Sequence, residues 1–268
     1  MMNGLFKDTI SELFDKKTVY FFFGITLISM IATIYSSNIS LSINGSGQGA
    51  GLEDIGFNPT TSFLHASKSL MSFLIFLSII ISAGLIPNMF IKGRADYFLA
   101  QPLSRKSLLL KKFISIWVVY GLLVVVCGIL FYLTGALVYS TFSNTIFLLI
   151  GFAMLEMFIW LSMSLLFGII TGKSVSTIMM MFMVWVAQYF LSYAHSSQFI
   201  FEQFNQKTLG KFFDYLYYAL PKITELSDLV DSLISHSGSL NSYIFYSTVG
   251  VSALLVYFAL TLFSRKNY

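Results

Sequence analysis

The chain has 268 residues, a formal net charge of +4 and a strongly apolar composition, with 56% hydrophobic and only 10% charged residues. Soluble globular domains carry about 25% charged residues. The low share of charged residues in this chain and its mean hydropathy of +0.78 therefore exclude an ordinary water-soluble domain. The excess of apolar side chains indicates a protein that faces a lipid bilayer.

The first segment of the chain, MMNGLFKDTISELFDKK, predicts a short amphipathic helix. Phe6, Ile10, Leu13 and Phe14 fall on one face of this helix, and the charged residues lie elsewhere on it. Helices of this kind rest in the membrane interface. We therefore predict an interfacial helix, followed by a first span that is a retained signal-anchor.

Six apolar runs approach or exceed the roughly 20 residues that a helix needs to cross a bilayer. They are predicted at about Val19–Ser36, Ser69–Phe90, Phe113–Leu137, Thr145–Ile170, Ser174–Tyr193 and Tyr243–Phe263. Their continuous hydrophobicity is typical of helices and lacks the alternation of membrane barrel strands. The predicted fold is a single all-α transmembrane domain over residues 1–268.

The distribution of positive charge predicts the orientation in the membrane. Six spans put both termini on one side, and 12 of the 16 Lys and Arg residues then share that side. The four on the other side are Lys68, Lys207, Lys211 and Lys222. By the positive-inside rule, we expect a multi-pass protein of the cell membrane with both termini in the cytoplasm.

The loop between the second and third spans, GRADYFLAQPLSRKSLLLKK (Gly93–Lys112), combines cations with aromatic residues. Pro102 divides it, and Ser104 is a predicted N-cap from which a helix runs from Arg105 into the third span. Before the proline, the apolar residues 97–99 lie among charges. They either rest in lipid headgroups or fit a groove on a cytoplasmic partner.

This loop resembles the corresponding loop of ABC-2-type permeases, the membrane subunits of many bacterial ABC exporters. The resemblance is carried by Gly93, Asp96, Phe98, Leu99, Pro102, Ser104, Arg105 and Lys111. It implies that the loop is a coupling helix, which contacts a separate ATP-binding subunit. The residues implied in this contact are Arg94, Asp96, Tyr97, Phe98, Leu99, Pro102, Ser104 and Arg105.

The resemblance also implies that the chain is a transport subunit and not an enzyme. It would have no catalytic residues and no cofactor of its own, ATP would bind to the partner chain, and a second copy or a sister permease would complete the export pathway. The segment Gly168–Ser174 has one residue too few for a phosphate-binding loop, and we predict a tight turn there. His65, His195 and His236 lack ligand spacing, so no metal site is expected. No nucleic-acid partner is expected either.

Two polar residues lie within predicted spans. Glu156 is near the middle of the fourth span, where a carboxylate costs about 2–3 kcal/mol, and such residues usually face a bundle interior or a cavity. We expect it to serve either as a substrate-pathway or proton-linked group or as a protonated or hydrogen-bonded packing residue at a dimer contact. Gln188 in the fifth span is a weaker candidate of the same kind. A stand-alone secondary transporter, driven by an ion gradient, is the alternative function.

The segment between the last two spans, from Ala194 to Ser242, is too polar to cross the membrane. It breaks at Pro221, after which apolar residues recur at helical spacing. These residues are Ile223, Leu226, Leu229, Val230 and Leu233. They predict an amphipathic helix on the outer leaflet.

Overall fold

The computed structural model describes residues 2–15, 17–45, 59–84, 87, 104–140, 142–196, 207–235 and 242–265. Within these residues the regular structure consists of helices. They are α1 (Met2–Asp15), α2 (Thr18–Gly45), α3 (Pro59–Ser82), α4 (Arg105–Tyr139), α5 (Thr145–Thr171), α6 (Ser174–Ser196), α7 (Lys207–Ala219), α8 (Ile223–Ile234) and α9 (Ser242–Arg265). Six of them, α2 to α6 and α9, are long and apolar enough to cross a bilayer. The chain is therefore a helical, multi-pass membrane protein.

The start of α4 confirms the predicted capping of the third span. Ser104 has extended backbone angles, φ −65° and ψ 142°, and its side chain accepts a hydrogen bond from the backbone N–H of Ser107. That bond satisfies one of the amide groups that every helix leaves unpaired in its first turn. The helix then continues from Arg105 to Tyr139 without a break.

The prediction for the second span was wrong at both ends, by about ten residues at its beginning and eight at its end. The run was expected over Ser69–Phe90, but α3 begins at Pro59 and ends at Ser82. The polar first part of α3 is accommodated because its hydroxyl groups bond within the helix, as Ser67 Oγ does to the Phe63 carbonyl at 2.9 Å. Ala83 and Gly84 form a turn after the helix, and Pro87 follows.

The helices α4 and α5 form the centre of the bundle. In the most apolar stretch of each of them half of the residues are buried, against 17% in that of α2 and 22% in those of α6 and α9. Large apolar side chains such as Leu27, Ile28 and Met183 remain exposed on the outer helices. A bilayer, which solvates apolar surface, accounts for that exposure.

A glycine on α4 allows α3 to approach closely. A methyl group at Gly135 would collide with the ring of Phe63, which stacks on Phe131 with ring centroids 5.3 Å apart. At Gly121 a methyl group would meet only the flexible end of Met154, with the sulfur at 2.7 Å. The contact between α3 and α4 therefore depends on Gly135, whereas Gly121 faces Met154 on α5.

The bundle has two ends, named here for the helices that they carry. At the α1 end, α1 packs on α2 and α4, and α5 turns into α6. Gly172 makes that turn in the left-handed region, with φ 63° and its N–H bonded to the Gly168 carbonyl at 3.0 Å. This confirms the predicted tight turn. At the opposite α8 end, α8 contacts α3, α5, α6 and α9.

The amphipathic helix predicted after Pro221 is confirmed as α8. Its buried residues are Ile223, Leu226, Leu229, Val230 and Ile234. Leu233, which was predicted on this face, is only half-buried. Asp228, on the other face, is exposed. The apolar face of α8 thus packs on the bundle.

Candidate functional site

A cavity of about 510 Å³ lies between α3, α5, α6 and α8. Its wall is mainly aromatic and aliphatic. The aromatic members are Phe73, Phe76, Trp160, Phe182, Trp185 and Tyr189. Binding sites for small molecules are typically about 300–1,000 Å³, predominantly apolar, with a few convergent polar groups. This cavity has the size and the lining of such a site.

Glu156 and Gln188 provide the principal polar groups of the cavity wall. Glu156 lies on α5. Trp160 on the same helix and Ser72 on α3 provide hydrogen-bonding groups next to its carboxyl group. Gln188 on α6 is only 5% exposed. Its side-chain Nε2 donates to the Pro221 carbonyl at 2.7 Å, while its Oε1 has no partner among the described residues.

The α8 end of the cavity is closed by α8, which contributes Ile223, Thr224 and Ser227 to the wall. The Lys68 ammonium on α3 holds α8 in place. It lies 2.6 Å from an Asp231 carboxylate oxygen and donates to the Ser227 carbonyl at 2.9 Å. This ion pair joins α3 to α8 beside the cavity, although Lys68 and Asp231 are far apart in sequence.

A cluster of aromatic rings surrounds Lys222 beside α8. The Lys222 ammonium lies 4.7 Å from the ring centroids of Tyr217 and Tyr243 and 4.9 Å from that of Tyr218. These cation–π distances are favourable. An ion pair with Glu225 at 3.6 Å completes the cluster, and burial lowers the pKa of Lys222 below its ordinary 10.5. The cluster joins α7, α8 and α9.

Glu225 stands in a mixed electrostatic environment on α8. Burial raises the pKa of Glu225 above its ordinary 4.5, His195 opposes that rise, and Asp228 adds to it. His195 itself pairs with Asp214 at 2.8 Å and stacks on Tyr217. His195, Asp214 and Glu225 therefore form a group of titratable side chains at the α8 end.

At the α1 end, a buried lysine anchors α1 to α4. Lys112 is 1% exposed, and its ammonium lies 2.6 Å from Asp8 Oδ2 and 3.3 Å from Glu12 Oε2. It also donates to Thr9 Oγ1 at 3.3 Å. The anchor fixes α1 next to the first turns of α4, which continue directly from the cation-rich loop.

The model of the family described as "Protein of unknown function (DUF2705)" matches residues 27–268. The chain belongs to the DUF2705 family. The matched region covers the cavity, the α8 closure and Lys112, whereas α1 lies before it. No curated protein matches this DUF2705 chain at a significant level.

The structure describes part of the predicted partner contact of the DUF2705 protein. Ser104 and Arg105 lie at the exposed start of α4. The other predicted contact residues are outside the described residues. They are Arg94, Asp96, Tyr97, Phe98, Leu99 and Pro102. Within the described residues, no group of three or more His, Cys, Asp or Glu side chains is arranged to hold a metal ion, and His236 lies outside them.

The four apolar residues predicted on one face of α1 have different surroundings in the DUF2705 protein. Leu13 is 4% exposed and packs in the core, and Phe6 is half-buried. Ile10 and Phe14 are 43% and 53% exposed. The latter pair can therefore contact lipid while α1 stays docked on the bundle.

Sequence reasoning missed the anchoring role of Lys112, which it counted only among the loop cations. A signal for that role is present in the sequence. Lys112 shares a helical face with Leu108, Leu109 and Ile116, at spacings of three or four residues, and all three are buried. A lysine on an apolar helical face indicates a charge that is paired inside the protein.

Proposed function

We propose that the chain is the membrane-spanning permease subunit of an ABC exporter of the cell membrane, coupled to ATP hydrolysis on a separate ATP-binding subunit. The observation that supports this most is the loop at Gly93–Lys112, whose residues resemble a coupling helix. The α1 end is then cytoplasmic, and a second copy or a sister permease supplies the other half of the pathway.

The anchor at Lys112 supports the proposal mechanically. The loop leads into α4, and α4 is tied to α1 by the bonds from Lys112 to Asp8 and Glu12. A partner that moved the loop would therefore move α1 and α4 together. Rigid elements of this kind carry conformational change between distant sites.

Substitution of Phe98 by alanine tests this function. Buried aromatic anchors in interfaces are often worth about 2 kcal/mol or more, so the Phe98→Ala variant should insert normally but lose its ATP-binding subunit or transport. Phe142→Ala is the matched control, because Phe142 is a 75% exposed phenylalanine between α4 and α5. Co-purification of an ATPase and ATP-dependent transport are measured for both. A Phe98→Ala protein that retains both properties would contradict the assignment.

A secondary transporter driven by an ion gradient is the second candidate, favoured by the presence of the Glu156 carboxyl in a cavity wall within the membrane. Transport by purified protein in vesicles separates the two functions. An exporter requires the ATP-binding subunit and ATP, whereas a gradient-driven transporter works without them and stops when an ionophore collapses the gradient.

A further inference from the structure

The cavity presents acceptor oxygens on two neighbouring helices and an apolar wall around them. Gln188 Oε1 is buried and has no partner among the described residues, and its amide is held in place because Nε2 bonds to the Pro221 carbonyl. The Glu156 carboxyl belongs to the same wall. A buried polar group without a partner is unfavourable, so the site is suited to a ligand that brings hydrogen-bond donors.

We propose that this cavity binds an amphipathic amine, a small molecule with an apolar body and a protonated amino group. An ammonium group has three N–H donors and no acceptor, which suits a wall whose principal polar groups are the Glu156 carboxyl and the Gln188 amide. The Trp160 ring belongs to the same wall and can interact with the cation through its face. The apolar body would fill the aromatic part of the cavity.

Lys68 is a cation close enough to attract the Glu156 carboxyl, but its ammonium is in direct contact with other groups. Its ammonium is bonded to Asp231 and to the Ser227 carbonyl at the α8 end. The local surroundings therefore contain a second carboxylate that compensates Lys68. The ammonium group of the ligand would therefore be the cation in direct contact with the Glu156 carboxyl.

The aromatic rim of the cavity provides a route from the bilayer. Phe76 on α3 and Phe182 on α6 are 54% and 55% exposed, so the cavity is reached between these two helices. An acyl chain of a lipid or a helix of a second copy would cover the rim equally well. An acyl chain, however, has no N–H donors, and the backbone N–H groups of a helix are already bonded within it.

The inference rests on the proposed function in that it names the class of exported molecule. Its test is a binding measurement on the purified chain and needs no ATP-binding subunit. Two of the three tryptophans, Trp160 and Trp185, line the cavity, so energy transfer from tryptophan to a dansyl group reports occupancy. The probes are dansylcadaverine, which ends in a primary amine, and its analogue that ends in a methyl group.

Both probes are titrated into the full chain in phosphatidylcholine nanodiscs. We expect the amine to bind at least about tenfold more tightly than the methyl analogue, because hydrogen bonds to charged groups are worth about that factor. Glu156→Gln should abolish this preference, and Gln188→Leu should reduce it. Asp228→Asn, which removes an exposed carboxylate outside the cavity, should leave it unchanged.

Equal binding of the two probes by the wild-type protein would overturn the inference, and this comparison needs no variant that could fail to fold. It would assign the cavity to lipid or to a second copy. Retention of the preference by Glu156→Gln would overturn it as well. The exporter assignment is decided separately by Phe98→Ala: an amine preference in a chain that recruits no ATPase would retain the site and remove the exporter.

Discussion

Replacement of Lys112 by methionine should release α1 from the bundle. The change keeps an unbranched side chain of similar length. It removes the ammonium that bonds to Asp8, Thr9 and Glu12. Two carboxylates then remain without their cation at the interface of α1 and α4. Removal of one partner of a buried ion pair destabilises the packed state by about 3–5 kcal/mol.

The exposure of the two carboxylates decides where in this range the effect falls. The Asp8 side chain is 38% exposed and can be solvated, so its share is small, about 0–1 kcal/mol. The Glu12 side chain is 12% exposed and carries most of the penalty. We therefore expect about 3 kcal/mol, which lowers the ratio of docked to undocked α1 by roughly a hundredfold.

A spin label at Ser11, an exposed position on α1, measures this release. The single native cysteine, Cys127, is buried and should contribute little background. The label should become mobile in Lys112→Met and stay immobile in the control Lys111→Met, which removes the same charge from the neighbouring, half-buried position. Addition of Glu12→Gln to Lys112→Met should restore part of the docking. An immobile label in Lys112→Met, or equal mobility in both lysine variants, would refute this account.

Further predictions concern orientation, helix packing and the pH dependence of stability. In intact cells, a cysteine at Ser107 should be shielded from an impermeant thiol reagent and one at Ser237 should react; labelling of the first would contradict the proposed orientation. Gly135→Ala should lower the free energy of unfolding by about 1–3 kcal/mol, and Gly121→Ala by clearly less, since its neighbour is flexible; equal thermal shifts would argue against the close approach of α3 and α4. The raised pKa of Glu225 means that the folded protein binds more protons than the unfolded chain between pH 4.5 and the folded pKa. The contribution of Glu225 to stability is therefore complete below pH 4.5 and is lost as the pH rises through the folded value. Thermal unfolding measured at a series of pH values should show this decline in the wild type and not in Glu225→Gln. If the stability of the two proteins changed with pH in the same way, burial would not raise the pKa of Glu225.

The ends of the spans show how far local patterns extend. At α4 the N-cap at Ser104 marks the start of the helix through a bond to its own first turn, and such local signals are readable from the sequence. At α3 the polar first part hid the beginning of the helix. Lys68, in this polar part, is stabilised by Asp231 on α8. No local pattern predicts a partner so distant along the chain.

The sequence by itself determined the properties that belong to single segments: the number of spans, the amphipathic faces of α1 and α8, and the polar positions Glu156 and Gln188. These follow from hydrophobicity and helical periodicity, which act within about twenty residues. Only the tertiary structure decided which segments meet. It brought Glu156 and Gln188 to one cavity, tied α8 to α3 through Lys68 and Asp231, and buried Lys112 against α1. Periodicity identifies the face of a helix that is buried but not the residue opposite it, because that residue is chosen by the packing of the whole bundle.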